Sequence, residues 1–554
     1  MKKDILFCLV LTFGVWMLTQ GIFIAAPYVV CNDVCQQIFW MQRFQDSSLY
    51  PPDLVNEYAR SYVSWGVRGI YYAVSPWIDA LRFSKILTAF TYLASGLALF
   101  LLGNQLGGRA VAWASTAMLW IYPLPMHTMA GGLARSFALP LTLLFLVGLV
   151  KRKRMLIHLT LLLQALFIPY IFPACALAVL LPFACRLCTQ KIGKCLSVPA
   201  LSLSWRDIAV MGAASLLILA WQHQMTSLGF GPLPTTVQLA ADPIYTAVGR
   251  FRIWPLPMLI EDLFFTAPYY LFGMQQWPVF GHALGIAAFC LLLFFCLRKA
   301  WKRTGEVTAY LWYALACLCM YALAYALALR LFIPSRQVEY AVDIAVCLLF
   351  GLGLGLAWQD TATRFFPRHA RALSLLLVCL LALAGSARLH QEGLTDYSEY
   401  ALLYAKVRAL PTNALLAGHP MLMDAVHTFG LHNVLASRKL AHPWSLGYWA
   451  RYEPRLRASL DALYAKDPQA LVTLHEQYGV THIIVDNRQL ADSFIQNVPL
   501  FAPYNDYIRK LAARPGPFLL APDGPLPGIE VQPGVRLISL MKIPAKTPSA
   551  KTNP

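Results

Sequence analysis

Apolar runs of 18 or more residues recur from the N-terminus to about residue 390 of this 554-residue chain, and they decide what it can fold into. Crossing the ~30 Å hydrocarbon core of a bilayer takes a helix of about 20 such residues. In lipid every backbone N–H and C=O must be satisfied internally, which leaves helices or closed barrels. Taken in order, the runs fall near 5–29, 84–103, 109–130, 133–150, 155–170, 171–187, 208–229, 281–297, 307–330, 334–357 and 372–390. The reading is a polytopic α-helical membrane protein with about 11 transmembrane helices. A hydrophobic fraction of 58% against 13% charged residues agrees with that class. The first run is longer than the apolar region of a signal peptide, and no small-x-small cleavage site precedes the loop that follows. It reads as a retained first helix.

The formal charge of +18 would point to nucleic acid in a soluble chain. Here the basic residues collect in clusters between alternate pairs of apolar runs, at Lys2-Lys3, Lys151–Arg154, Arg186–Arg206, Arg298–Arg303 and Arg364–Arg371. The intervening loops are mixed in sign. That alternation follows the positive-inside rule and predicts a cytoplasmic N-terminus, with membrane lipids and not nucleic acid as the surroundings. An odd number of crossings then puts the C-terminal region on the opposite, extracytoplasmic side.

Three boundaries stand out. The run at 155–187 is broken by IPYIFP, which predicts two helices meeting near Pro169 and Pro173, since such a break is tolerated where protein buries it. Two outer loops, 30–83 and 230–280, interrupt a transmembrane region of residues 1–390. The first carries helix-like pieces at 33–45 and 52–64. The second is rich in Pro, Trp and Tyr, including Trp254, Tyr269, Tyr270 and Trp277. Aromatic residues at that density predict pieces lying along the membrane surface. Beyond the last run, residues 391–543 read as a small α/β domain on the outer side. Ala470–Tyr478 is its clearest helix, and Val480–Val485 and Asn413–Ala417 are candidate strands. Residues 544–554 form a Pro-rich, disordered tail.

Most of the 13 cysteines lie inside apolar runs, as small apolar residues. Cys185, Cys188 and Cys195 cluster in a basic loop but lack a fourth metal ligand nearby. Cys31 and Cys35 flank Asp33. A disulfide there suits an oxidising compartment, although an i,i+4 helical spacing suits it poorly.

Chemistry is best sought among ionisable residues stranded at membrane level on the outer side, because such groups are expensive unless paired or facing a wet cavity. Asp33 lies just beyond the first helix. Arg135 starts the fourth span within GGLARSFALPL. Arg336 starts the tenth within LFIPSRQVEYAVDI, with Glu339 and Asp343 following on one helix face. Two arginines suit an anionic lipid headgroup, since a guanidinium matches phosphate with forked hydrogen bonds. A carboxylate beside them suits proton abstraction from an attacking hydroxyl. The plainer alternatives are that Arg135 and Arg336 snorkel at helix ends and that Glu339 and Asp343 compensate Arg336. Likewise, Asp46 and Asp53 are loop or capping residues, and Glu261-Asp262 is ordinary surface. His419, His427, His432 and His442 have no regular ligand spacing. No Ser-His-Asp order, phosphate loop or dinucleotide fingerprint is present.

Three segments, NDVCQQIFWMQRFQDSSLYPPDLV, GGLARSFALPL and LFIPSRQVEYAV, together with the layout of spans and a terminal soluble domain, resemble the GT-C superfamily of integral-membrane glycosyltransferases, and within it an uncharacterised bacterial subgroup. The resemblance implies an inverting transferase of the inner membrane. Its donor would be a polyprenyl-phosphate-linked hexose or pentose. Its acceptor would be a lipid, glycan or protein hydroxyl at the periplasmic face. By the resemblance Asp33 is the catalytic base; in the reading of the residues Arg336 would hold the donor phosphate, and Arg135 would assist there or line the cavity. The superfamily's acidic pair stands here as Asn32-Asp33. A divalent cation, Mg or Mn, would therefore need a second acidic residue, with Asp53, Glu261 and Asp262 as candidates for a metal or acceptor contact. A non-catalytic transport or assembly protein of a surface-glycan pathway is the alternative. The near absence of charge inside the spans, with polar groups gathered at their outer ends, favours the enzyme.

Overall fold

The computed structural model describes residues 1–189, 203–251, 261–301, 304–526 and 528–542. It divides into two compact units. Unit 1 comprises Met1–Asn32, Val63–His223 and Trp254–Thr395; unit 2 comprises Asp33–Tyr62, Gln224–Ile253 and Asp396–Pro554.

Unit 1 is helical. By length and composition, seven helical runs among the described residues can cross a membrane: Ala80–Gly107, Pro169–Arg186, Trp205–Ser227, Val279–Trp301, Val307–Ala326, Pro334–Phe365 and Ala370–Arg388. The other expected spans fall on shorter or broken helices. The first helix is Lys2–Thr19, followed by a turn at Gly21–Phe23, so it ends well before residue 29. The run at 109–130 is split into Arg109–Ile121 and Pro123–Met129. Tyr122 is extended between them, as a residue before proline tends to be. The run at 133–150 is a short turn, Ala134–Phe137, leading into Ala138–Val150. The break at IPYIFP is a single turn, Pro169–Ile171, between Arg154–Phe167 and Phe172–Thr189.

Close packing in unit 1 rests on small residues. A Cβ on Gly355 would lie 2.7 Å from Val111 Cα, and one on Gly103 would lie 2.8 Å from Val111 O. The helices carrying these glycines therefore approach the Arg109–Ile121 helix at backbone distance, the usual route to tight association without a hydrophobic driving force. Lys85, 1% exposed within Ala80–Gly107, donates to Phe23 O at 2.7 Å and Ala26 O at 2.5 Å. Those bonds give an ammonium at that depth its partners and secure the chain after the first helix.

Unit 2 is built on a five-stranded mixed sheet. The strand order is Asn433–Val434, Leu415–Gly418, His482–Asp486, Val535–Ser539, Ile529–Gln532. The first three strands pair parallel and the last two add antiparallel. Two of the strands correspond to Val480–Val485 and Asn413–Ala417 read from sequence, each displaced by one or two residues. The Gln469–Tyr478 helix stops at Gly479, whose φ of +72° supplies the left-handed C-terminal turn. The expected tail, residues 544–554, lies outside the described residues.

Unit 2 also takes in two segments that the sequence reading assigns to loops along the membrane surface. Residues 33–45 form a one-turn helix, Val34–Gln37, and a tighter turn, Phe39–Phe44, in place of one helical piece. The second piece is a helix at Leu54–Tyr62 that buries Val55, Asn56, Tyr58, Ala59 and Ser61. Tyr58 stacks on Tyr448 at 3.6 Å between ring centroids. Asn56 donates to Asn433 Oδ1 at 2.6 Å and contacts His427 Nε2 at 3.0 Å. The spacing of Tyr58 and Tyr62 thus serves a protein core. A polar Asn in that face finds partners only in the folded α/β unit, because buried amides must be hydrogen-bonded.

Candidate functional site

The candidate residues fall into two groups, one in each unit. In unit 2 Asp33 immediately precedes the Val34–Gln37 helix, and its carbonyl accepts from Gln36 N and Gln37 N. Its Oδ1 accepts from Lys439 Nζ at 2.7 Å, and the two side chains are 19% and 14% exposed. Lys439 belongs to the turn Arg438–Leu440. That turn is held from two directions. Asp424 Oδ1 accepts from Lys439 N at 2.8 Å and from Ser437 Oγ at 2.5 Å. Arg250 donates from Nε to Arg438 O and from Nη2 to Lys439 O, both at 3.2 Å. Burial pushes the Asp424 carboxyl up, against the pull of these donors.

Beside the ion pair runs a chain of neutral polar groups. Gln36 Nε2 donates to His442 Nε2 at 2.6 Å, His442 Nδ1 donates to Tyr58 Oη at 3.0 Å, and Tyr58 Oη donates to Ser445 Oγ at 2.9 Å. Read in this direction the chain requires a neutral imidazole, and the environment agrees. Burial first, and then the nearby Arg250 charge, push His442 well below its ordinary value. Trp444 stacks on His442 at 4.2 Å, and Tyr62 donates to Gln36 O at 3.0 Å.

Asp53, also in unit 2, is a capping residue with an ionic partner. Its Oδ2 accepts from Val55 N at 2.9 Å, and Arg455 donates to its Oδ1 at 2.8 Å. Asp46 likewise accepts from Ser48 N and Ser48 Oγ, and these bonds hold its carboxyl below the usual range.

In unit 1 the two arginines sit on turns that lead into apolar helices. Arg135, on Ala134–Phe137, donates from Nη2 to Cys31 Sγ at 3.3 Å. Arg336, on Pro334–Gln337, donates from Nη1 to both carboxylate oxygens of Glu339 at 2.7 Å. Tyr170, on the turn that breaks the IPYIFP run, shares a hydrogen bond of 2.8 Å with Tyr340 and stacks on Phe332 at 4.5 Å. An apolar cluster of Ala138, Leu141, Ile168, Ile171 and Tyr340, with Phe137 and Tyr170 packed against it, joins the helix after the Arg135 turn, the IPYIFP break and the helix after the Arg336 turn. Arg336 and Glu339 are 29% and 32% exposed. Asp343 is buried further along the same helical run.

Glu261 is exposed, and Asp262 opens a π-helical turn, Asp262–Thr266. Among the described residues no three His, Cys, Asp or Glu side chains are grouped as metal ligands. Asp33 and Asp53 each carry their own cation, so among the described residues the acidic donors do not fit a bound Mg or Mn. Cys31 and Cys35 are buried thiols that are not joined in a disulfide. Of the cysteine cluster in the basic loop, Cys185 is a free exposed thiol, while the side chain of Cys188 and all of Cys195 lie outside the described residues. His419, His427, His432 and His442 are all buried in unit 2.

Lys439, Arg250 and His442 went unsingled by sequence reasoning as partners of Asp33. Nothing in SRKLAHPW marks the lysine. Tyr170 carried a signal, as the one polar side chain inside the proline-broken IPYIFP.

No known protein family matches the chain, and no curated protein sequence matches it. Among solved structures it is similar to the oligosaccharyltransferase of Archaeoglobus fulgidus. The apo form has 11% identity and a TM-score of 0.46, over 89% of this chain and 70% of that one. The archaeal enzyme in complex with an inhibitory peptide and a dolichol-phosphate has 12% identity and a TM-score of 0.48, over 92% and 72%. Its complex with Zn and sulfate has 12% identity and a TM-score of 0.44, over 91% and 70%. At these values neither residue roles nor an activity is carried over from that protein.

Proposed function

We propose that this chain is a membrane glycosyltransferase of the GT-C type, moving a sugar from a polyprenyl-phosphate donor to a hydroxyl of a lipid, glycan or protein at the periplasmic face of a bacterial inner membrane. The reading rests on Arg135 and Arg336, each on a turn that leads into an apolar helix of unit 1, with Tyr170 and Tyr340 in the cluster that joins those elements. Two guanidiniums at helix starts suit a phosphate whose lipid tail lies in the bilayer. The alternation of basic clusters along the chain supports the outer location of these turns.

In the proposed reaction the acceptor oxygen attacks C1 of the sugar and forms the new C1–O bond. The bond from C1 to the phosphate oxygen breaks, and its electron pair leaves on the polyprenyl phosphate. Asp33 takes the acceptor proton, and the two arginines pair with the negative charge that grows on the departing phosphate. A single displacement of this kind inverts the configuration at C1. No step is routed through a metal.

The test uses membranes containing the full chain, radiolabelled polyprenyl-phosphate hexoses and pentoses, and a membrane extract as acceptor. Transfer of label is expected from wild type, with a loss of about 10²- to 10⁴-fold in Asp33→Asn, the usual contribution of a positioned base. Full transfer by Asp33→Asn would sink the assignment.

A further inference from the structure

We propose that Lys439 is the positioning residue for Asp33, and that Arg250 braces the turn from which Lys439 projects. The inference rests on the reading of Asp33 as base and goes beyond it, because it adds a residue with no sequence signature and a second that acts through it.

Three segments far apart in the chain, at 33, 250 and 438–442, converge within unit 2. Lys439 Nζ reaches Asp33 Oδ1 at 2.7 Å with both groups largely shielded from water. An ammonium so shielded is expensive without its counter-ion, so the pair fixes the carboxylate's position as well as its charge. A lysine alone would be a loose clamp, since its four-carbon stem is flexible. Arg250 removes that freedom at the base of the stem. Its planar fork spans two consecutive carbonyls, those of Arg438 and Lys439 itself, and Asp424 holds the amide N–H of Lys439 from another direction. Hydrogen bonds thus hold both the backbone and the tip of Lys439. Arg250, His442 and Tyr62 also couple electrostatically to Asp33. His442 is tied up as a neutral link between Gln36 and Tyr58. Lys439 and Arg250 are therefore two cations that act on the carboxylate. Lys439 touches Asp33 and no reacting atom is assigned to it, so its role is positioning.

The experiment uses the full chain in membranes, with radiolabelled polyprenyl-phosphate hexoses and pentoses and a membrane extract as acceptor. Lys439→Met is expected to lower turnover at saturating donor by at least about tenfold with KM within about twofold, because a loosened catalytic group costs rate more than binding. Lys439→Arg is expected to recover most of that loss. The exchanged pair Asp33→Lys with Lys439→Asp is expected to regain the wild-type melting temperature without regaining transfer. Arg250→Lys keeps the charge but loses the fork. It covers the case in which Lys439→Met does not fold, and is expected to reduce turnover severalfold. Wild-type turnover in Lys439→Met or in Arg250→Lys, with Asp33→Asn inactive, would overturn the positioning role and leave the base in place. Full turnover in Asp33→Asn would overturn both. Transfer by the exchanged pair would show the ion pair to be structural only.

Discussion

The two units manage charge in different ways. Unit 1 settles these ionisable groups on carbonyl, thiol or same-element partners: Lys85 on two carbonyls, Arg135 on Cys31, Arg336 on Glu339 three residues away. Unit 2 ties charges across long stretches of chain, as in Asp33–Lys439 and Asp53–Arg455, and surrounds them with aromatic rings. The difference follows from the solvent. A helix in lipid satisfies its own backbone and stands without a partner. A small mixed sheet with a discontinuous chain needs specific side-chain pairs to recruit its remote segments. Unit 1 is therefore the place to perturb binding with little effect on stability, and unit 2 the place where stability and chemistry are coupled.

The strongest test of that contrast is Arg336→Ala. Transfer should fall by about 10²- to 10³-fold, the scale for removing one donor to developing charge. The melting of unit 2, followed by near-UV circular dichroism, should not move. A large fall in stability would break the comparison. Next comes Tyr58→Ala, which removes a fully buried ring stacked on Tyr448. A loss of about 3–5 kcal/mol in unit 2 is expected from a Phe- or Tyr-sized deletion, while the far-UV helical signal of unit 1 persists.

Acid should also separate the units. His419 and His427 are fully buried, and burial lowers each to about 3 from an ordinary value near 6.5. Between those values the unfolded chain binds more protons than the native one, so stability falls as pH drops below about 6.5 and goes on falling to about 3. Each histidine then withdraws about 2 kcal/mol between pH 6.5 and pH 5. Thermal melts at pH 7 and pH 5 should show unit 2 losing its tertiary signal first, and His427→Gln should shrink the gap by one histidine's share, about 2 kcal/mol, with His419 and His442 still contributing. Equal loss in both units would contradict the contrast. The smallest effect belongs to Glu261→Gln. Removing the charge of an exposed carboxylate should change stability by less than about 0.5 kcal/mol and leave transfer unchanged. A loss of activity would restore Glu261 as a ligand.

The units also differ in how much of them can be read without coordinates. Hydropathy finds the helices of unit 1 because the lipid constraint is local: a residue's burial depends on its own run. It overestimates the first span, since Gly21–Phe23 leaves the helix before the apolar residues end. In unit 2 the strands at 415–418 and 482–486 and the helix ending at Gly479 follow from local pattern. The docking of 33–62 does not, because an aromatic face with a spacing of four looks the same whether it meets lipid or a protein core. Asp33 is found by its place after the first span and by family resemblance. Lys439, His442 and Arg250 are not, since an isolated cation, imidazole or guanidinium in a loop carries no period and no motif.

From the amino-acid order alone came the membrane class, the succession of spans, the α/β character of the C-terminal region, and Asp33, Arg135 and Arg336 as residues in need of explanation. These depend on transfer free energies and on proline, glycine and charge placed along the chain, which are properties of short windows. Only the tertiary structure decided that the loop after the first span belongs to the α/β unit, that Tyr170 meets Tyr340, and that Lys439 pairs with Asp33. Pairings across 400 residues depend on which surfaces fit one another, and no local window contains that information.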